Sequence, residues 1–464
     1  MRRLTRRSLL RGSAFGLGAT ALGSLLDGAR GPHHAPKARR VIYLFQNGAP
    51  SHVDLFDDKP VLRRMHGQQI PDSVVGGRRF STMTGNQKAR PCVGAIADIR
   101  RRGQSGATVS TLLPHTAAIA DELCFVKSMH TTQVNHAPAI TFFLTGSERP
   151  GRPAMGAWLS YGLGNEAEDL PTFVAMTSRD REASCGQIFY DYYWGSGFLP
   201  TVHQAVKFRG SGMPVLYLED PPGIDRLLRR GMIDDLAALN SVHAAQVGDP
   251  EIDTRIAQYE MAYRMQASVP ELTDLSNEPE HVLAMYGPDV RRKGSYAYNC
   301  LMARRLVERG TRFVQVMHAG WDQHRNLYTQ LEIQCRDTDA PSAALVLDLA
   351  QRGLLDDTLV IWGGEFGRTP FLQGKLGGAD QGRDHHPYAF TLWLAGGGTR
   401  AGTSHGSSDE FGFEVAEHPV HVHDFQATVL HLLGLDHERL TYPFQGRRFR
   451  LTDVGGRVVR ELMA

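Results

Sequence analysis

The sequence predicts an α/β fold with a mostly parallel central sheet and helices on both faces. Short apolar runs rich in β-branched and aromatic residues alternate along the chain with segments of helical spacing, which is the pattern of strand–helix repeats. The run at residues 358–362 has acids before it and glycines after it, as is typical of a buried parallel strand. Ligands of such sheets bind beyond the carboxyl ends of the strands, so we expect the functional residues there.

The individual elements follow from the same criteria. Strands are predicted at residues 41–45, 123–126, 215–218, 312–316, 358–362 and 390–394, with further strand–helix signals at 158–162 and 172–176. Helices are predicted at residues 112–120, from about Pro138, and at 225–246, 253–267, 296–309, 339–352 and 422–433. The aromatic, glycine-rich segment 186–212 is either a substrate-facing surface or a packed irregular insertion, and the second interpretation is favoured.

Composition places the chain among ordinary globular proteins. Its 464 residues suffice for one large α/β domain with insertions or for two domains, and the net charge of +2 calls for no nucleic-acid partner. The five cysteines are far apart in sequence and form no CxxC motif. We expect mostly reduced thiols, with one long-range disulfide left open.

The N-terminus has the character of a targeting segment. An arginine-rich start precedes a Gly/Ala-rich stretch at residues 12–26 that is too short and too rich in glycine for a membrane span. Residues 5–11, TRRSLLR, resemble the twin-arginine export motif. We expect residues 1–38 to be a signal and linker that direct the protein to the periplasm or outside the cell. A disordered basic tail is the weaker alternative.

Four predicted strand ends carry acids, imidazoles or amides, and these lie at residues 46–54, 130–136, 318–324 and 365–386. Because the carboxyl ends of parallel strands share one edge of a sheet, these side chains can converge. Asp322 and His324, two positions apart, can ligate one Zn²⁺, Mn²⁺ or Mg²⁺ ion, and Glu365 with His385 or His386 can complete its shell. Adjacent His385 and His386 seldom point the same way, so His385 is the ligand candidate, and His386 either packs or contacts substrate as a catalytic candidate.

Further candidates surround this set. Arg368 is suited to bind a tetrahedral anion. Asn135 and His136 are expected near a helix N-terminus, where anions bind. The same loops also contain supporting candidates, which are Asn47, His52, Asp54, His318 and Asp384. The alternative is structural: the acids cap helices or pair with arginines, and the histidines satisfy buried backbone groups.

Three segments carry a family resemblance. Residues 354–367, LLDDTLVIWGGEFG, resemble the G-L-x-D-x-T-L-V-x-x-x-S-D-H-G segment of the alkaline phosphatase/sulfatase superfamily. Residues 136–146 match in spacing the sulfatase signature C-x-P-S-R…L-T-G, and residues 422–435 resemble the D-x-x-P-T-x-L-x-L-L-G helix. The resemblance implies an alkaline-phosphatase-like fold for a single domain at residues 39–464, with an irregular or helical insertion at about 180–300.

A closer resemblance is to a twin-arginine-exported branch of that superfamily, catalogued as a domain of unknown function. Its marks here span nearly all of residues 40–450 and are GAPSHVDLFD at 48–57, Asn135-His136, GWDQH at 320–324, GEFGRTP at 364–370 and GRDHHP at 382–387. The resemblance implies a sulfatase-like hydrolase with a divalent ion (Zn²⁺, Mn²⁺, Mg²⁺ or Ca²⁺) and a small-molecule or glycan ester as substrate.

The sequence departs from the superfamily pattern at three places. Asn47 stands where a metal-binding Asp usually ends the first strand, His136 occupies the nucleophile position, and Glu365-Phe366 replaces a metal-binding Asp-His pair. His136 is therefore a candidate nucleophile, general acid or metal ligand, with Thr131 and Thr132 as weaker nucleophile candidates. Two hypotheses remain: a metal-dependent hydrolase of phosphate or sulfate esters, and a non-catalytic binding or scaffold protein that retains the fold.

Overall fold

A computed structural model describes residues 31–179, 189–216 and 218–464. The twin-arginine motif and most of the predicted leader, residues 1–30, lie outside the described residues. Among the residues that the structure describes, no helix has both the length and the apolar character required to span a bilayer.

The strands and helices are as follows. The strands are β1 (Arg40–Asn47), β2 (Ile99–Arg102), β3 (Ala107–Ser110), β4 (Leu123–His130), β5 (Phe173–Arg179), β6 (Val206–Phe208), β7 (Phe313–Ala319), β8 (Thr358–Gly363), β9 (Gly367–Arg368), β10 (His385–His386), β11 (Phe390–Ala395), β12 (Thr403–His405), β13 (Ser407–Ser408), β14 (Val415–Glu417), β15 (Val420–His421), β16 (Tyr442–Phe444) and β17 (Arg447–Phe449). The α-helices are α1 (His52–Leu55), α2 (Pro60–Arg64), α3 (Asp72–Val75), α4 (Pro114–Ala118), α5 (His136–Thr145), α6 (Met155–Leu163), α7 (Arg226–Val247), α8 (Pro250–Thr273), α9 (Glu280–Met285), α10 (Tyr296–Glu308), α11 (Leu327–Gln351) and α12 (Val422–Leu432).

One large sheet organises the described part of the chain. Its order is β12-β4-β11-β8-β1-β7-β5-β6, and β15 adds a ninth strand beside β4. The pairs β8–β1, β1–β7, β7–β5 and β5–β6 are parallel, whereas β11 runs antiparallel to both of its neighbours. The predicted α/β class with a mostly parallel central sheet is therefore confirmed.

Strand β1 shows why this sheet needs helices on both faces. Its side chains alternate, so Val41, Tyr43 and Phe45 point to one face while Ile42 and Leu44 point to the other, and all five are fully buried. The first face packs against α5, α6 and α12, and the second packs against α8, α10 and α11. A strand that is apolar on both sides requires this arrangement, because each face must be removed from water.

Two elements differ from the sequence prediction. The helix predicted at 339–352 begins twelve residues earlier, because Leu331 and Cys335 pack into the core and the helix continues through Pro341. Residues 215, 216 and 218 form no strand, and the edge strand is β6 instead, paired with β5. The other predicted strands and long helices are found, several with extended ends.

Two predictions about composition can also be compared with the structure. Cys92, Cys124, Cys300 and Cys335 are buried and free, as expected, while Cys185 lies outside the described residues. In the aromatic segment, Tyr193 and Trp194 are buried in the same cluster as α5 and α6, so this part is packed.

Gly146, the residue that ends α5, packs closely against the backbone of another segment. Its φ of 69° and ψ of 13° are left-handed, and an added Cβ would overlap the carbonyl oxygen of Leu451. Gly248 ends α7 with nearly the same angles, 71° and 18°, and has open space at its Cβ position. Gly248→Ala is therefore expected to cost about 1 kcal/mol of unfolding free energy, the penalty of the left-handed conformation alone.

Gly146→Ala is expected to cost about 2 kcal/mol more, because steric overlap adds to the same backbone penalty. Urea unfolding of both variants measures the difference. Equal losses in the two variants would show that the contact with Leu451 is relieved without cost.

Candidate metal centre

Four side chains converge at the carboxyl edge of the sheet, and they are His136, Asp322, His324 and His385. One nitrogen or oxygen from each lies within 4.8 Å of the others. His136 opens helix α5 after β4, Asp322 and His324 follow β7, and His385 lies in β10, which follows β8. Strands that are distant in sequence thus deliver their ligands to one point, because their carboxyl ends share an edge.

Asp322 is the centre of this cluster. Its Oδ1 lies 3.1 Å from His136 Nε2, 2.8 Å from His324 Nε2 and 3.2 Å from His385 Nε2. The Arg368 guanidinium donates to the same oxygen at 2.6 Å. Burial raises the pKa of the Asp322 carboxyl, but Arg368 and the imidazoles outweigh that effect and hold the pKa well below its usual range.

The outer nitrogen of each imidazole is held by an oxygen. His136 Nδ1 lies 2.5 Å from Glu365 Oε1, His324 Nδ1 lies 2.6 Å from Gln373 Oε1, and His385 Nδ1 lies 2.7 Å from the Val134 carbonyl. These oxygens only accept hydrogen bonds, so each Nδ1 carries the proton and donates it. In a neutral ring held in this way, Nε2 faces Asp322 with its lone pair, which is the tautomer that metal-binding histidines adopt.

This arrangement fits a bound cation. Three lone pairs and a carboxylate oxygen facing one another repel unless positive charge lies between them. In a tetrahedral zinc site, ligand atoms about 2.0 Å from the ion are about 3.3 Å apart. The distances from Asp322 Oδ1 to the three Nε2 atoms, 2.8 to 3.2 Å, are close to that value, as is the 3.0 Å between His324 and His385.

The pKa values of two ligands reflect the same charges. Burial, together with neighbouring His136, lowers the pKa of His385 to about 4, so His385 is neutral. Burial also lowers the pKa of His136, but Asp322 and Glu365 raise it by more, so the net shift is upward. The two carboxylates therefore draw positive charge to His136, and a cation at Nε2 would satisfy that attraction in place of a proton.

The structure places Glu365 behind this cluster, whereas the sequence suggested it as a ligand. One of its oxygens binds His136 Nδ1 and the Gly48 amide, the latter at 3.0 Å. The fourth position of the ligand set is taken by His136 instead. Glu365 thus completes a carboxylate–histidine pair, which fixes the ring orientation and raises the basicity of the inner nitrogen.

Arg368 also lies elsewhere than expected. Its side chain is fully buried, so it faces no substrate. Besides Asp322, its donors bind the backbone carbonyls of Gly48, Ala49, Trp321 and Arg383. We therefore reassign Arg368 from anion binding to positioning: it holds Asp322 and joins three strand-end loops.

The adjacent histidines separate as strand geometry requires. His385 joins the cluster, whereas His386 points to the opposite side and its Nε2 lies 2.5 Å from the Phe413 carbonyl. Burial lowers the pKa of His386 to about 3. His386 packs beside His52, which is held by the Gly412 carbonyl at 2.9 Å. The structure does not bring His386, suggested as catalytic, or His52 into the cluster.

The other supporting candidates have varied surroundings. Asp54 forms a fully buried bidentate pair with Arg383, with bonds of 2.7 and 2.8 Å. Asp384 accepts from Thr84 at 2.6 Å and from Ser81. His318 lies between Ser178 and Gln334, and burial lowers its pKa to about 3. These three residues brace the loops.

Two asparagines complete the candidate set. Asn47 is fully buried at the end of β1. Its side-chain amide has no hydrogen-bond partner among the described residues. Asn135 is exposed at the N-cap of α5, and its side chain makes no capping bond there.

Sequence reasoning missed three contributors. Gln373 and the Val134 carbonyl orient two of the imidazoles, and Phe366 packs 5.0 Å from His136 and 4.9 Å from His385, measured between ring centroids. Phe366 lies in the GEFGRTP motif, which could have indicated it. The sequence carries no such signal for the Val134 backbone carbonyl, or for Gln373, which lies in a glycine-rich segment.

The cluster lies close to the surface. The side chains of His136, His324 and His385 are 13%, 18% and 10% exposed, whereas Glu365 and Arg368 are fully buried. The inner nitrogen of His136 is itself buried, so the orienting groups and this part of the cluster are shielded from water.

The Asp54–Arg383 pair allows a test of how the loops are braced. Asp54→Ala leaves the Arg383 cation buried without its partner, so we expect a loss of about 3–5 kcal/mol in unfolding free energy. Asp98→Ala is the matched control, because its pair with Arg100 is exposed and should contribute nothing measurable. Urea unfolding measures both, and equal midpoints would contradict the bracing role.

Comparison with known proteins places the chain in a family. No curated protein matches it. Among solved structures it is similar to the PsFucS1 sulfatase from Pseudoalteromonas sp., with 12% identity, coverage of 92% of this chain and 72% of that one, and a TM-score of 0.35. It is also similar to a phosphonate monoester hydrolase from Silicibacter pomeroyi, with 12% identity, coverages of 76% and 71%, and a TM-score of 0.31.

A protein in the alkaline phosphatase superfamily from Vibrio parahaemolyticus is 10% identical, with coverages of 89% and 70% and a TM-score of 0.32. Because these scores are below 0.5, neither fold nor activity is inferred from the superpositions. The sequence itself is decisive, since residues 38–463 match the family model described as "Protein of unknown function (DUF1501)". The chain therefore belongs to the DUF1501 family.

Proposed function

We propose that the protein is a metal-dependent hydrolase of phosphate or sulfate esters. The observation that carries the proposal is the convergence of three imidazole Nε2 atoms, each with its Nδ1 held by an oxygen, and one carboxylate oxygen within 4.8 Å of one another. A divalent ion held there would have to accept a fifth ligand beyond the four side chains, and it would then supply Lewis acidity to an ester oxygen or lower the pKa of a bound water. The motif resemblance to the alkaline phosphatase/sulfatase superfamily supports esters of phosphate or sulfate as the substrate class.

The donor set favours some ions over others. Three imidazoles and one carboxylate suit Zn²⁺ or Mn²⁺, whereas Mg²⁺ and Ca²⁺ prefer shells made of oxygen. We propose His136, Asp322, His324 and His385 as the ligands. His136 then acts as a ligand, because one of its nitrogens donates to Glu365 and the other faces Asp322.

We propose supporting roles for the surrounding residues. Glu365, Gln373 and the Val134 carbonyl hold the imidazoles in the ligand tautomer, and Arg368 keeps Asp322 ionised and fixed. Phe366 forms an apolar wall beside two of the rings, which limits water near the site. A scaffold protein that bound no metal would have no need to keep these tautomers aligned.

Metal content tests the ligand assignment directly. His385→Ala and Asp322→Asn are expected to reduce bound metal by at least about tenfold, since each removes one of the proposed ligands. His386→Phe is the matched control, because this neighbouring histidine points away and should leave the stoichiometry unchanged. Elemental analysis measures metal, and thermal unfolding with and without chelator reports its effect on stability. Full metal in His385→Ala would refute the assignment.

Turnover tests the activity. Metal-loaded protein is expected to hydrolyse aryl phosphate or aryl sulfate esters, and Asp322→Asn is expected to reduce kcat/KM by at least about a hundredfold. His386→Phe should retain turnover. If loaded protein with full metal content hydrolyses neither class of ester, the metal is structural and the scaffold hypothesis replaces this proposal.

We also propose export by the twin-arginine route to the periplasm or beyond, supported by the TRRSLLR segment. The double substitution Arg6→Lys, Arg7→Lys is expected to block export of a reporter fused after residue 38, because the paired arginines are what the receptor recognises. Arg2→Lys with Arg3→Lys is the control, since that pair lies outside the motif. Cell fractionation measures the exported reporter. Export that persists in the Arg6→Lys, Arg7→Lys variant would exclude this route.

A further inference from the structure

Met83 is the most exposed methionine among the residues that the structure describes. Only two methionine side chains in that part of the chain are largely exposed, Met83 at 59% and Met232 at 41%. Exposure governs how readily a thioether is oxidised, because the oxidant must reach the sulfur atom. Met83 is therefore the described methionine that a diffusible oxidant reaches most easily.

The turn that contains Met83 is anchored on both sides of this residue. Thr84 donates a hydrogen bond to one carboxylate oxygen of Asp384 at 2.6 Å, and Ser81 donates to the same oxygen. Both hydroxyl side chains are buried. The other oxygen of Asp384 accepts from the backbone amide of His385, a proposed metal ligand, at 2.8 Å. The turn is thus joined to the metal centre, and the position of Met83 relative to that centre is defined.

A chain of contacts leads from the Met83 sulfur to the cluster. The side-chain amide of Gln373 donates to Met83 Sδ at 3.5 Å, and its Oε1 lies 2.6 Å from His324 Nδ1. The other nitrogen of that ring, Nε2, lies 2.8 Å from Asp322 Oδ1. Three contacts therefore join an exposed, oxidisable atom to the central oxygen of the cluster.

The sulfur atom determines which way the Gln373 amide faces. A thioether accepts hydrogen bonds and donates none, so the NH2 group of Gln373 faces Met83 and the carbonyl oxygen faces His324. With this oxygen as acceptor, His324 Nδ1 carries the proton and Nε2 keeps the lone pair that a metal requires. The opposite orientation of the amide would favour the other tautomer. Met83 is thus a positioning residue that acts on His324 through Gln373.

We propose that Met83 is a site of reversible oxidation that weakens metal binding through Gln373 and His324. This inference rests on the metal centre of the proposed function. The sulfur lone pair attacks one oxygen of hydrogen peroxide, the O–O bond breaks, and the leaving hydroxide takes the proton of the transferred oxygen to form water. The thioether is oxidised to a sulfoxide by two electrons. A methionine sulfoxide reductase reverses the change, with two thiols oxidised to a disulfide and one water released.

Oxidation removes the contact that orients the amide. In a sulfoxide the acceptor is the new oxygen, and the sulfur itself carries partial positive charge. The 3.5 Å between Met83 Sδ and Gln373 Nε2 leaves too little space for an oxygen hydrogen-bonded between them. Either the oxygen turns to solvent or the amide is displaced. In both cases the amide loses its present orientation, and His324 is no longer held in the ligand tautomer.

Peroxide treatment of the full chain loaded with Zn²⁺ tests the proposal, since this ion has no redox chemistry of its own. Peptide mass spectrometry is expected to find Met83 oxidised before Met232. Competition with a chelator is expected to show zinc affinity reduced by about threefold to tenfold, because removing an outer-shell partner outright costs about tenfold to a hundredfold. Reductases for both sulfoxide epimers, supplied with dithiothreitol, are expected to restore the affinity.

Three variants separate this route from general oxidative damage. Met83→Leu and Gln373→Leu are each expected to lower zinc affinity before treatment, and peroxide should then change neither, because the chain of contacts is already broken. Met232→Leu is the matched control, since α7 carries none of the proposed ligands, and it should lose as much affinity on oxidation as wild type. An equal loss in Met83→Leu and wild type, or an unmodified Met83 beside an oxidised Met232, would overturn the proposal.

The imidazole nitrogen NMR signals of His324 distinguish failure of this inference from failure of the metal assignment. They are measured in metal-free protein and assigned by comparison with His324→Gln. Oxidation of Met83 is expected to shift them, because these signals report which ring nitrogen carries the proton. Protein that binds no zinc but shows this shift would refute the metal centre and support the coupling of Met83 to His324. Unshifted signals, with or without zinc binding, would overturn the inference.

Discussion

The ionised carboxylate of Asp322, held in place by Arg368, is the interaction on which the site depends. The buried guanidinium binds this carboxylate and four backbone carbonyls from three separate loops. Without that cation, a carboxylate with only 7% of its side chain exposed would be costly to ionise. One arginine therefore sets both the charge and the position of the central oxygen.

A second buried pair extends this bracing across the site. Arg383 binds Asp54 and the carbonyls of Thr369, Val93 and Gly94, while its own carbonyl accepts from Arg368. The loop after β1, the segment before β2 and the loop after β9 are thereby tied together. Such pairs are weak sources of net stability but strongly disfavour any state in which one partner is lost. Their role here is to specify position.

The sequence predicted the sheet well because the signal was local. Apolar runs such as residues 358–362 and 312–316 contain enough β-formers to identify buried strands, and the residues following them were correctly placed near the functional edge. The early start of α11 was missed because Pro341 suggested a boundary that packing overrides. Strand β6 was missed because three residues at a sheet edge carry almost no pattern.

The sequence predicted which strand ends would meet, but not how the side chains there are arranged. Asp322, His324 and His385 were named as ligands, and the structure brings them together with His136 rather than Glu365. The periodicity of a sequence cannot show which of two neighbouring side chains lies in the cluster and which lies behind it. Arg368 illustrates the same limit, since its fork suits a substrate anion as well as the backbone carbonyls that it binds. Only the depth of burial separates the two roles.

The spacing of the four ligands along the chain has a consequence for assembly. His136 and Asp322 are 186 positions apart, and 61 separate His324 from His385. A fragment that contained all four proposed ligands would have to include most of the domain. An ion could therefore bind only to chains in which the central sheet has already formed. Occupancy would then act as a cross-link between distant loops, and it would report that maturation of the chain is complete.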